Sequence, residues 1–177
     1  MIRFASQLVF CSPQQILRRT VIEQNEKNTI TRIFGLDESL AESAQTSFFN
    51  GIISSEFISL KQNLNEAILA KLCADYQYID LSDELILKPV ISLNKPLILD
   101  FGLNNIDQIN KKIDVLLSVL TGFSITDIIA ACTYFPAIVS GKASTIQVNN
   151  TTQLVLWENI NFRTYQFNEN TSVKFLI

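Results

Sequence analysis

The chain contains no histidine. That absence removes the side chain most often used as a general base near neutral pH, the commonest ligand of catalytic zinc, and every Ser-His-Asp or Cys-His nucleophile. Glycine is scarce too, with five residues in 177 and none of them in a run that could cradle a phosphate. Charged residues make up only 18% of the sequence, against about a quarter in typical globular proteins. Part of the surface is therefore expected to be covered by another chain, as a homo-oligomer or by another protein. The net charge is -3, and no basic cluster is longer than Arg18-Arg19 or Lys111-Lys112, so the electrostatic footprint of a nucleic-acid binder is missing. The three cysteines, Cys11, Cys73 and Cys132, are odd in number, far apart and set in apolar surroundings. Such usage predicts reduced, buried thiols and a cytoplasmic setting rather than a disulfide frame. Met1-Ile2-Arg3-Phe4 lacks the apolar core of a leader. The apolar region from Ile113 to Val139 is interrupted by Asp114, Gly122 and Asp127, so no membrane partner is expected.

What the chain does have is alternation at both ends. Ile2, Phe4, Leu8 and Phe10 recur with the period of a strand that has one face in a core. Ser12-Pro13 turns the chain, and strands over 19–24 and 29–36 follow around the polar turn Asn25 to Asn28, giving a β meander. Asp37 to Thr46, with Glu38 and Glu42, is a solvated connection before Ser47-Phe48-Phe49-Asn50-Gly51-Ile52-Ile53 returns to the core. Near the other end, strands are expected over 145–148, 153–158, 160–167 and 172–177, the last of them paired inside the sheet.

Between these ends the spacing is helical. Asn63 with Glu66 is a capping pattern for a helix carrying Leu64, Ala67, Ile68 and Leu72. Tyr76 to Ile79 is a candidate strand, 82–88 fits helix or strand, and Leu97-Ile98-Leu99 has the continuous apolarity of a strand buried in a parallel sheet. Ile106, Ile109, Ile113, Leu116 and Leu120 mark a helix that stops at Gly122, with Lys111, Lys112 and Asp114 toward water. Ser124 and Asp127 form a capping box for a further helix with Ile125, Ile128, Ile129, Cys132 and Phe135 on one face, closed by Pro136. The tyrosines Tyr76, Tyr78, Tyr134 and Tyr165 and the single Trp157 are expected to pack with their polar tips at the surface.

Two segments taken together resemble the metal-dependent amidohydrolases, the superfamily of cytosine deaminase and chlorohydrolase-type enzymes. Thr133-Tyr134-Phe135-Pro136-Ala137, Ser144-Thr145-Ile146 and Thr152 to Trp157 are similar to the helix, turn and two strands that close that family's sequences. Gly51-Ile52-Ile53-Ser54-Ser55-Glu56-Phe57-Ile58 resembles the segment leading into its first barrel strand. The resemblance implies a fold in which N- and C-terminal strands meet in a small composite β-sandwich. A barrel of about 200 or more residues does not fit between them here. The expected fold is α+β in a single domain over 1–177: sandwich halves at 1–60 and 137–177, with a short α/β insert at 61–136 in place of the barrel. The resemblance also puts the family's first two metal-ligand positions on Lys61 and Asn63. A protonated lysine has no lone pair and an amide oxygen suits zinc poorly, so the metal site is expected to be degenerate, with no cofactor.

Asp100 is the one catalytic candidate. Asp100-Phe101-Gly102-Leu103-Asn104-Asn105 resembles the run around the family's last barrel-strand aspartate, which binds metal and moves a proton. The structural alternative is a polar turn of Asp100, Asn104 and Asn105 that caps the following helix. Asp83-Glu84, Asp37-Glu38 and Glu42 sit among polar neighbours and read as exposed carboxylates with ordinary titration. Three functions follow from different classes. The first is a non-catalytic amidohydrolase-like structural or protein-interaction module. The second is a small-molecule binding module with a pocket between insert and sandwich. The third is a residual hydrolase using Asp100 with Lys61 or Lys95.

Overall fold

The computed structural model describes residues 1–39, 45–61, 64–81, 94–102, 106–120, 122–142, 145–164, 166–167 and 170–177, with backbone alone at 38–39 and 114–119. Six strands form one sheet: β1 (Ile2–Ser12), β2 (Gln15–Gln24), β3 (Ile30–Gly35), β4 (Thr46–Ser55), β7 (Leu154–Glu158) and β8 (Ser172–Phe175), in the order β3-β2-β1-β4-β7-β8. The N-terminal meander is present as β1 to β3. β4 then crosses over to lie parallel to β1, and β7 pairs antiparallel to β4 with Gly51 opposite Glu158 and Ser55 opposite Leu154. The two ends of the chain thus share one sheet, and the class is α+β.

At Gly51 these ends approach closely. A Cβ built there would stand 2.3 Å from the Trp157 carbonyl oxygen and 2.9 Å from the Leu156 Cδ1, so only glycine lets β7 pack at this position.

The sheet curls rather than splitting in two. Beyond its paired strands, the start of β3 returns to the segment before β7. Ile30 N donates to Asn150 O (2.9 Å), Asn149 N to Ile30 O (2.8 Å) and Thr152 N to Asn28 O (3.1 Å), and Thr29 bridges Thr151. The enclosed face holds a core of Phe4, Val9, Cys11, Ile22, Ile30, Ile53, Leu154 and Leu156. Leu8, Phe10, Ile52, Val155, Trp157 and Val173 supply the opposite core. Phe4 therefore lies in a different core from Leu8 and Phe10, although the alternation placed all three on one face. The strand switches sides where β1 and β4 slip register between Ser6 and Leu8 and where Arg19 in β2 adopts φ +47°.

The insert begins with α1 (Glu66–Asp75), then β5 (Gln77–Asp80), β6 (Leu97–Asp100) and α2 (Ile106–Val119). β5 and β6 pair in parallel as a separate two-stranded sheet, as the apolar Leu97-Ile98-Leu99 run implied. The cap of α1 is Asn65, whose side chain accepts from Ile68 N at 2.9 Å; Asn63 lies outside the described residues. Ser124 and Asp127 do form the capping box that starts α3 (Ile125–Ile129).

Pro136 does not end that helix. A π-helical turn, Ala130–Tyr134, follows α3, and α4 (Phe135–Ser140) carries the chain on to Gly141 at φ +71°. In the π turn the Phe135 amide donates to Ala130 O, five residues back. The bulge sets the proline at the first turn of a new helical segment, where its missing amide breaks no hydrogen bond.

Other expectations are corrected by local side-chain chemistry. Residues 145–148 form bends and the start of a turn rather than a strand, because Asn150 Nδ2 donates to Thr145 O (3.1 Å) and Asn149 takes φ +73°. Residues 160–164 turn, with Asn161 Oδ1 accepting from Arg163 N (3.0 Å) and Thr164 N (3.4 Å). β8 is the outer strand, not an inner one. Its free edge is occupied by the Asn110 amide of α2, which accepts from Val173 N (2.8 Å) and donates to Val173 O (3.2 Å). Lys112 is half-buried and donates its ammonium to the Leu81 carbonyl instead of facing water. Trp157 is wholly buried, its indole N–H donating to Ser54 Oγ at 2.9 Å. Cys11 and Cys132 are buried, whereas Cys73 on α1 is exposed, on a helix that buries only Leu72. No described helix is long and apolar enough to cross a membrane.

Candidate functional site

The parallel pair β5-β6 brings the catalytic candidate to a defined place. Open parallel sheets gather ligands at the carboxyl ends of their strands, and both strands end there in an aspartate, with Asp80 opposite Asp100 in register. Lys61, from the segment that leaves β4, stands at the same end, and its Nζ lies 3.2 Å from Asp80 Oδ2. Tyr78 of β5 completes the group. The structure therefore brings together Asp100 and Lys61, two residues the sequence singled out, and adds Asp80, which it did not, and Tyr78, whose hydroxyl was expected at the surface and instead donates to the buried Asp100 carboxylate. Lys95 is at the other end of β6, donating to Cys73 O at 3.0 Å. Asn63, Asn104, Asn105, Tyr165, Glu42, Asp83 and Glu84 lie outside the described residues.

The hydrogen bonds of Asp100 decide what it can do. Its carboxylate is fully buried, at 0% exposure. Oδ2 accepts from Leu60 N (2.7 Å), Lys61 N (3.0 Å) and the Tyr78 hydroxyl (2.9 Å), and Oδ1 accepts from Gly102 N (2.9 Å). Gly102, at φ +72°, is the residue that lets the chain fold back onto Oδ1. Three backbone amides and one phenol thus surround one carboxyl group, tying the exit of β4 to the end of β6. The Tyr78 phenol has its pKa pushed up by burial first, then by the Asp100 charge and their hydrogen bond, so it stays a donor at neutral pH.

This arrangement is ill suited to the metal that the amidohydrolase resemblance implies. Both carboxylate oxygens of Asp100 already accept from the chain's own donors, three of them on Oδ2, and the Lys61 ammonium offers no lone pair. Among the described residues no group of three or more Cys, Asp and Glu is placed to hold an ion. The Lys61–Asp80 pair is partly exposed, at 46% and 34% of its side chains, and contributes little to stability.

A second possible site, a cavity between insert and sheet, is largely filled. Phe57 packs edge-on against Phe101 at 5.4 Å and against Trp157 at 5.5 Å, and Trp157 against Phe167 at 5.6 Å. A concavity of about 660 Å³ opens between Tyr134 and Ile138 on one side and Cys11, Leu17 and Ile33 on the other. The Cys11 thiol on its wall has its pKa pushed up to about 11 by burial, which keeps it a protonated, poor nucleophile.

Asp80 and Tyr78 had a sequence signal that the helical and alternating patterns obscured. Tyr78-Ile79-Asp80 and Ile98-Leu99-Asp100 are two short apolar runs that both close on aspartate. Asn110 had none, being one polar residue among several on an amphipathic helix. Compared with known proteins, the chain matches no family model, no curated protein and no solved structure.

Proposed function

We propose that the chain is a non-catalytic, amidohydrolase-like interaction module that associates through its apolar surface, with a second copy of itself as the first partner to test. The observation that carries this reading is the condition of Asp100: the one carboxylate positioned for chemistry is buried and holds the chain's own backbone. Meeting of the N- and C-terminal strands in one sheet, across β4 and β7, supports derivation from the composite sandwich of that superfamily. The apolar side chains Ile138 and Val148, 43% and 42% exposed at the rim beside Tyr134, provide a face for association.

Sedimentation velocity over a concentration series tests the proposal. Wild-type protein should form a dimer whose fraction rises with concentration. Ile138→Glu should shift it to monomer with an unchanged circular dichroism spectrum. A wild type that stays monomeric throughout, or an Ile138→Glu variant that dimerises equally well, would remove this face from the account.

A small-molecule module is the second reading, favoured by the same concavity of about 660 Å³ at the junction of insert and sheet. The residual hydrolase has the least support, since Lys61 is paired with Asp80 and Lys95 is remote from Asp100.

A further inference from the structure

We infer that a separate groove on the sheet, walled by Arg18, Arg19, Leu36, Phe48, Phe49 and Phe162, binds a small amphipathic anion: a carboxylate carried on an aromatic or aliphatic body. The groove encloses about 470 Å³, within the roughly 300–1,000 Å³ of small-molecule sites. It shares no residue with the rim at Ile138, so it goes beyond the association proposed above and stands or falls separately.

The floor is apolar and has little polar capacity to spare. Ala5 and Leu8 are buried, and the Ser6 hydroxyl is already engaged, 2.8 Å from Leu8 O and 2.7 Å from Gly51 O. Phe48 is 58% exposed, a large aromatic face left open on a sheet whose other aromatics are covered or half-covered. Such a surface gains by taking up an apolar body.

The head group is specified by charge. Neighbouring residues of a strand ordinarily point to opposite faces, yet Arg18 and Arg19 both line this groove. The strand's change of side at Gln7 and Arg19 makes that possible: the pairing of β1 with β2 passes over those two residues, and Arg19 holds φ +47°. A left-handed arginine is uncommon and disfavoured, and such backbone concentrates at binding sites. The Arg18 guanidinium has no ion-pair or hydrogen-bond partner among the described residues. Arg19 pairs with Asp37 at 2.9 Å, but both side chains are well exposed, at 66% and 75%, so a ligand carboxylate can displace this pair at little cost. Two adjacent cations, one without a partner among the described residues, in a protein of net charge -3, make the groove complementary to an anion.

Titration calorimetry at low salt with 4-phenylbutyrate, and with its neutral amide as control, tests the site on the wild-type protein. The expected result is saturable binding of the acid in the sub-millimolar range, about tenfold tighter than the amide. Arg18→Gln should abolish that preference, and Phe48→Ala should weaken both ligands, while the melting temperatures stay unchanged because both side chains are exposed. Equal affinity for acid and amide, or no binding up to the solubility limit, would overturn the inference. So would an Arg18→Gln variant that keeps the preference. Binding of an apolar peptide with a free C-terminal carboxylate, without binding of phenylbutyrate, would also overturn it and assign the groove to a protein ligand.

Discussion

Replacing Asp100 separates a structural carboxylate from a chemical one. In Asp100→Ala, four donors lose their acceptor: the amides of Leu60, Lys61 and Gly102 and the Tyr78 hydroxyl. A stranded buried donor costs about 1–3 kcal/mol, and those near the surface recover part of this from water, so the total comes to about 3–6 kcal/mol. Asp100→Asn keeps one acceptor oxygen. With that oxygen toward Leu60, Lys61 and Tyr78, the new NH₂ faces the Gly102 amide, donor against donor, at a cost of about 1–3 kcal/mol. Against a total stability of about 5–15 kcal/mol, the alanine variant is severely weakened and the asparagine variant measurably so. Urea unfolding followed through the fluorescence of Trp157, the single and wholly buried tryptophan, reads both values. A carboxylate retained for chemistry usually lowers stability, so its removal stabilises. An Asp100→Asn protein as stable as the wild type, or more stable, would refute the reasoning.

Gly51→Ala places a methyl group 2.3 Å from the Trp157 carbonyl oxygen and should cost at least about 1–3 kcal/mol by urea unfolding; a neutral result would mean that β4 and β7 are not in this register. Asn110→Ala opens the edge of β8 and strands both main-chain groups of Val173, so it should lose about 1–2 kcal/mol and aggregate faster in light scattering. Glu23 supplies a pH test. Burial alone would raise its pKa, but hydrogen bonds from Arg3 and Thr31 and the charges of Arg3 and Arg32 outweigh that and hold it below the usual glutamate value. A depressed folded-state pKa means that the unfolded chain binds the proton more readily. The stabilisation is therefore present above the unfolded value of about 4.3 and is lost as pH falls through the folded one. Urea midpoints measured from neutral pH down into the acid range should fall less steeply for Glu23→Gln than for wild type.

Much of the frame was legible because it rests on local patterns. The meander β1 to β3, the buried strand β6, helix α2 and the Ser124 capping box all follow from periodicity and cap chemistry, which the tertiary structure leaves intact. Where the reading failed, a side chain or a backbone kink overrode the pattern. Asn150 and Asn161 draw nearby main-chain groups into turns and so dissolve two expected strands. The π turn before Pro136 makes room for a proline that should have ended a helix. Change of face within β1 depends on Arg19 and on a register slip with β4, neither of which alternation can reveal. At the site, Asp100 was marked by the family resemblance of the run it opens, and its bonding was not. Two of its four donors come from Leu60 and Lys61, about forty residues earlier, and such long-range satisfaction of a carboxylate has no local signature.

The most direct measurement is turnover on a panel of cyclic amides and deaminase substrates, with zinc supplied, for wild-type and Asp100→Asn protein side by side. The account predicts no turnover above buffer by either protein. Turnover by the wild type that disappears in a folded Asp100→Asn variant would contradict it.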